Sequence, residues 1–171
     1  MAAGRAAESG STVLLLEKMP ETGNKLLLTG NGRCNLSNNK PLKDFITMYG
    51  SNGRFLYGVF FQFFREELLD LLAGYGIKAK VETDGRIFPV SDDAGDVLQA
   101  LRQYAFRENT RVLAGKKVTG IGVANGMVTG VAAGTELFPG KDKRHKSLHP
   151  GPEFLAIFTS ACSANSAVKF F

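Results

Sequence analysis

The sequence predicts an α/β protein with an added antiparallel layer, and three observations carry that prediction. Thr12–Leu16 is a continuous apolar run, the pattern of a parallel strand buried on both faces. A helical apolar face recurs through Ala94, Val97, Leu98, Leu101, Tyr104 and Ala105. Two turn dipeptides, Asp84-Gly85 and Asn125-Gly126, each separate a pair of strand-like runs. A buried parallel strand, amphipathic helices and hairpins in one chain define this class.

The elements come in the following order. Residues 1–10 form a short Ala-rich helix that Gly10 ends. The strand of Thr12–Leu16 runs into Glu17 and Lys18, and Pro20 and Gly23 turn the chain. Residues 52–76 are helical in character: Phe55, Val59, Phe60 and Phe63 recur at helical spacing, as do Leu68, Leu71 and Leu72, before Gly74 and Gly76. The Phe-rich run FLYGVFFQFF is expected in the core. Asp84-Gly85 turns IKAKVET into RIFPV, and Asn125-Gly126 turns VTGIGVA into MVTGVAA, both as type I′ hairpins. Ser91 is the expected N-cap of the helix between them, with Asp92 and Asp93 in its first turn. Beyond Gly140 the character changes. KDKRHKSLHPGPEF is basic, broken by Pro150 and Pro152, and FLAIF (154–158) reads as an isolated apolar patch. The domain division is therefore 1–140 and an irregular basic tail, 141–171.

Composition excludes several functions. The chain has 171 residues, enough for a domain with its own core. No apolar run approaches the roughly 20 residues that span a bilayer, and no signal sequence opens the chain, so a cytoplasmic protein without a membrane partner is expected. Net charge is +5, but residues 1–140 hold 16 basic and 14 acidic side chains, and the tail supplies +3 of the excess. The main body has no basic stripe, and nucleic acid is not an expected partner. Cys34 and Cys162 form no C-x-x-C pair. His145 and His149 are four apart but lack the Glu of H-E-x-x-H, and Pro150 follows, so no metal site is expected.

Two segments could carry a ligand. Glu17, at the carboxyl end of a strand, is either a ribose-hydroxyl acceptor or a carboxylate facing water. No G-x-G-x-x-G precedes it; that fingerprint belongs roughly 20 residues upstream. In KLLLTGNGRCNLSN (25–38), Gly30-Asn31-Gly32 begins such a motif but position 35 is Asn, and no helix comes after it. The phosphate-cradle reading therefore fails. Gly30 and Gly32 still let backbone approach a ligand closely. Arg33 could fork onto phosphate or carboxylate, and Asn35 could pin a polar ring edge. Cys34 is either a thiol activated by Arg33 or a small buried thiol, the commoner case.

VLLLEKMPETGNKLLLTGNGRCNLSN (13–38) and GRIFPVSDDAGDVLQAL (85–101) together resemble the bacterial flavoproteins of the aminoacetone-oxidase family, the HI0933-like NAD(FAD)-utilising dehydrogenases. The family pattern runs close to E-K-x-P-x-x-G-x-K-L-x-x-[ST]-G-x-G-R-C-N-x-[ST]-N, then G-R-x-F-P-x-S-x-x-A-x-x-V. The resemblance covers about residues 2–140. It implies a partial Rossmann-like FAD-binding domain, a parallel sheet with helices on one side and an antiparallel layer on the other, with its first strand missing. It implies Glu17 on the adenosine ribose, Lys18 near the adenine end, and Lys25, Gly30, Gly32, Arg33, Cys34 and Asn35 along the pyrophosphate and flavin. It puts Val118, in the strand after the long helix, near the adenine. FAD would act on a small-molecule substrate, with NAD(P)H or oxygen as electron partner, and no catalytic side chain is assigned. The alternative expectation is a non-catalytic remnant, or a split half that associates through an exposed sheet edge.

Overall fold

The computed structural model describes residues 1–140 and 155–159. In chain order its elements are α1 (Ala2–Glu8), β1 (Val13–Glu17), α2 (Asn24–Leu28), β2 (Ser37–Asn38), α3 (Leu42–Thr47), α4 (Tyr57–Gln62) and α5 (Arg65–Gly74). Then come β3 (Ala79–Val81), β4 (Arg86–Pro89), α6 (Ala94–Ala105), β5 (Thr110–Leu113), β6 (Val118–Ala124), β7 (Met127–Ala133), β8 (Glu136–Pro139) and β9 (Leu155–Thr159). They fall into two compact units: Met1–Asn24 with the residues from Tyr104 onward, and Lys25–Gln103.

The first unit is organised by β1. Its neighbours are β5 and β9, both parallel to it, so neither of its edges is open. Side chains alternate across a strand, and here both faces are covered. Val13 and Leu15 pack with Ala3, Ala7 and Ala105 of the helical layer. Leu14 and Leu16 pack with Val131, Val118 and Phe138 of the antiparallel sheet β6-β7-β8. A continuous apolar run is what two covered faces require, and each such side chain contributes about 1.5–3 kcal/mol of burial. The parallel sheet with a helical layer and an antiparallel layer is thus the observed architecture.

Small residues let α1 sit close. A Cβ added to Gly4 would lie 2.3 Å from the Tyr104 ring, so only glycine fits there. The Tyr104 hydroxyl donates to Glu8 at 3.1 Å, and Asn109 donates to the carbonyls of Ala7 and Ser11. These bonds fasten the end of α1 beside the start of β5.

The second unit packs Leu72 of α5 and Ala94, Val97 and Ala100 of α6 around Cys34. The antiparallel sheet β2-β4-β3 belongs to the same unit and carries the fully buried Ile87 and Phe88.

Several expectations are corrected. The helix over 52–76 is three pieces: a 3-10 segment (Gly50–Leu56), α4 and α5. Phe63 is extended, and the Phe64 N–H donates to the Glu67 carboxylate at 2.8 Å, which caps a fresh helix. The Phe-rich run is not core: Phe55 is 81% and Phe61 85% exposed, while Phe60 and Phe64 meet Phe45 edge to face. Asn125-Gly126 has positive φ at both residues, as type I′ demands, but in the other hairpin only Gly85 does. There the Glu82 N–H donates to the Arg86 carbonyl, and three residues form the loop, with Gly85 in the left-handed position. Asp93, not Ser91, caps α6, accepting the Gly95 N–H at 2.7 Å. FLAIF is not isolated: β9 pairs with β1 along its length, on the edge expected to be open. His145, His149, Cys162 and the rest of the tail lie outside the described residues.

Candidate functional site

In the first unit the candidate is the end of β1. Glu17 closes the strand and is 5% exposed, which excludes the carboxylate facing water. Its Oε1 accepts the Met19 N–H at 2.9 Å, and its carbonyl accepts the Lys116 N–H at 2.8 Å. A carboxylate held at the carboxyl end of a parallel strand stands where open α/β sheets bind ligands. Lys18 comes next and is exposed. Val118 is not in the strand directly after the long helix: β5 intervenes, and Val118 opens β6, packed against Leu14 and Leu16.

In the second unit the candidate is the loop after α2. Lys25, in the first turn of that helix, is exposed. Gly30, Asn31, Gly32 and Cys34 all have φ between +57° and +81°. A Cβ on Gly30 would meet the Asn35 nitrogen at 2.8 Å and the Phe88 ring at 2.9 Å, so this turn needs glycine for space as well as for φ. Cys34 bears a side chain in the left-handed region, at about 1 kcal/mol of strain. The bonds that hold the turn are local: the Cys34 N–H donates to the Thr29 carbonyl at 3.0 Å, and the Thr29 hydroxyl to the Leu26 carbonyl at 2.7 Å. Beyond the turn, the Leu36 N–H donates to the Ile87 carbonyl at 2.8 Å. The Asn35 amide, oriented to face acceptors, donates to the carbonyls of Ile87 at 3.1 Å and Ser37 at 2.8 Å.

Arg33 meets carboxylate. Its guanidinium forks onto Glu82, at 2.8 and 3.3 Å, reaches Asp92 at 3.3 Å, and lies over the Phe88 ring at 3.8 Å. Lys80 pairs with Asp92 as well, and Arg86 with Glu82 and Asp84. The Arg33 hydrogen bond holds the Glu82 carboxyl below its ordinary range, and Lys80, with Arg33 behind it, does the same for Asp92. Sequence reasoning missed Glu82, Lys80 and Phe88 as partners of the loop. Their signal is faint: Lys80 and Glu82 are two apart, hence on one face of the hairpin, with Arg86 returning beside them.

Cys34 is 5% exposed among Leu72, Ala94, Val97 and Ala100, and burial pushes its thiol up. A thiolate nucleophile needs the opposite environment, so the buried-thiol reading holds. Among the described residues no group of His, Cys, Asp and Glu could hold a metal ion, and no helix is long and apolar enough to cross a membrane.

The Gly30–Gly32 backbone is the accessible part of this turn. Gly32 has open space where a Cβ would stand, and Asn31 and Gly32 are exposed. Residues 1–141 match the HI0933-like protein Rossmann domain. Among curated proteins the chain is 34% identical over 138 residues to the 3-dehydro-bile acid delta(4,6)-reductase of Clostridium scindens, covering 80% of this chain and 32% of that protein. The chain thus spans about a third of the length of that relative. It belongs to the HI0933-like Rossmann-domain family.

Proposed function

Because the chain belongs to a Rossmann-domain family of the FAD-binding type, we propose that it binds FAD and serves as part of an FAD-dependent oxidoreductase acting on a small organic molecule. The observation that carries this reading is the buried Glu17 carboxylate at the end of β1. A group there accepts hydrogen bonds from ribose hydroxyls, and its bond from the Met19 N–H fixes its direction beforehand. Lys18 lies toward the adenine end, and Val118 offers an apolar flank there. In the other unit, Lys25 and the exposed backbone of Gly30–Gly32 are the groups that the sequence resemblance assigns to the pyrophosphate and flavin, with Cys34 and Asn35 shaping the turn.

When bound, the isoalloxazine ring supplies hydride chemistry, and the protein supplies orientation and electrostatics. This division explains why the described residues of the site need no acid–base pair of their own. The relative's name, a bile acid reductase, supports a reduction or oxidation at carbon, with NAD(P)H as the electron partner to test first.

The test is direct. The purified chain is dialysed against FAD and its visible spectrum recorded, beside a Glu17→Ala variant. The proposal expects flavin absorbance retained by the parent chain and about tenfold weaker binding in the variant, the size of one lost charge-assisted hydrogen bond. Equal retention by both chains removes Glu17 from the site, and no retention by either removes the flavin reading.

A second reading rests on the exposed apolar side chains. Leu28, Phe55, Phe61 and Leu137 are each at least 80% exposed. Association with another chain through such side chains predicts a concentration-dependent mass in sedimentation.

A further inference from the structure

Arg33 is a cation of the candidate loop whose side chain is only about a third exposed, and its partners come from far along the chain, at positions 82 and 92. Three independent contacts converge on one guanidinium. The plane forks onto the Glu82 carboxylate, one nitrogen also reaches Asp92, and the ring of Phe88, itself fully buried, lies beneath at 3.8 Å. A fork plus a stacked face uses both recognition modes of a guanidinium at once. Three of its five N–H donors are committed, and two carboxylates offset its charge, which weakens its pull on a phosphate. The same segment is where the backbone is most contorted, with positive φ at Gly30, Asn31, Gly32 and Cys34. A strained turn persists only when its surroundings over-determine it.

We propose that Arg33 is a positioning residue: it holds the Gly30–Asn35 turn against the β3–β4 hairpin through Glu82, Asp92 and Phe88, and leaves ligand contact to the turn's backbone. Glu82 is then part of the ligand-binding apparatus although it touches no ligand. Lys80 and Arg86 share the duty by setting the two carboxylates, Lys80 on Asp92 and Arg86 on Glu82. The effect on FAD rests on the function proposed above, whereas the hold on the turn does not.

That separation decides the experiment. Four versions of the 171-residue chain are compared: the parent, Arg33→Gln, Glu82→Gln and the double variant. Without flavin, amide hydrogen exchange is followed at Cys34 and Leu36, whose N–H groups bond to Thr29 and Ile87. Each single variant is expected to speed their exchange, Arg33→Gln about tenfold, and the double variant to add little to Arg33→Gln, because that substitution already removes the contact with Glu82. With flavin, FAD affinity is read at low and high salt. Positioning predicts that Glu82→Gln weakens FAD by about the same factor as Arg33→Gln, roughly fivefold, with the salt dependence unchanged.

Direct phosphate binding predicts the reverse. Glu82→Gln would then free Arg33 and leave FAD as tight or tighter, while Arg33→Gln alone would weaken it and flatten the salt dependence. That pattern overturns the proposal, as does unchanged exchange in Arg33→Gln. If exchange responds as expected but the parent binds no FAD, the flavin reading fails and the positioning role of Arg33 stands. An Arg33→Lys chain keeps the charge but not the fork, and slower exchange than in Arg33→Gln marks how much the charge alone supplies.

Discussion

In β1, residues 13–16 are each at most 3% exposed, and every side chain meets an apolar neighbour on one face or the other. Between Thr29 and Asn35 the chain does nearly the opposite. It turns through four left-handed residues, buries only Cys34 fully, and is steadied by charges borrowed from a distant hairpin. The strand is held by many small, non-directional contributions that summed area predicts. The loop is held by a few directional ones, each of which can be removed by a single substitution. Rigidity by burial suits a scaffold, and exposed backbone held by ion pairs suits a surface that meets a ligand.

That contrast can be broken at its strong end first. Leu14→Ala or Leu16→Ala removes a side chain from the filled layer between β1 and β7, with a cost of about 2–5 kcal/mol, read as a lower midpoint in urea. A cost under about 1 kcal/mol would mean that this layer is not the core described. Gly4→Ala tests the helical side. Its new Cβ has no room against the Tyr104 ring, so overpacking costs about 1–3 kcal/mol on the same scale. Gly30→Ala asks the question of the loop. Strain and the clash with Asn35 and Phe88 cost about 1–2 kcal/mol, and the loss of FAD binding exceeds that of global stability.

Acid separates the regions by chemistry rather than by size. Arg33 lowers Glu82, and Lys80 lowers Asp92, so both carboxylates ionise more readily folded than unfolded. Their stabilising effect is present above the ordinary carboxylate range and is lost as pH falls through the lowered folded values. Protection factors at Cys34 and Leu36, taken relative to the intrinsic exchange rate at each pH, therefore fall in acid before those in β1 do. The smallest effect is chemical: iodoacetamide at about pH 8, near the ordinary thiol range, labels Cys34 far more slowly in the native chain than in urea, because burial raises its thiol. Peptide mass spectrometry separates this site from Cys162.

The same contrast explains what could be read in advance. β1, α6 and the Asn125-Gly126 turn were legible because their signals are local: an apolar run, a helical period and two residues tolerant of positive φ. The break between α4 and α5 was not, since apolar spacing continues across it and one carboxylate, Glu67, decides the new start. β9 was not, because nothing in FLAIF says which strand it will pair with. In the loop, positions 30–35 could be named from their residue types. Their true partners, 49 and 59 residues further on, form a pairing that spacing does not encode. Glu17 was legible as a position and not as an environment, because its burial is a property of the assembled fold rather than of its immediate neighbours.

The proposed binding of FAD, with Glu17 at the adenosine end, is tested most directly by thermal unfolding with and without FAD. Saturating FAD is predicted to raise the melting temperature of the parent chain by about 5 °C or more, and that of Glu17→Ala by distinctly less. An identical melting temperature in the presence and absence of FAD would contradict it.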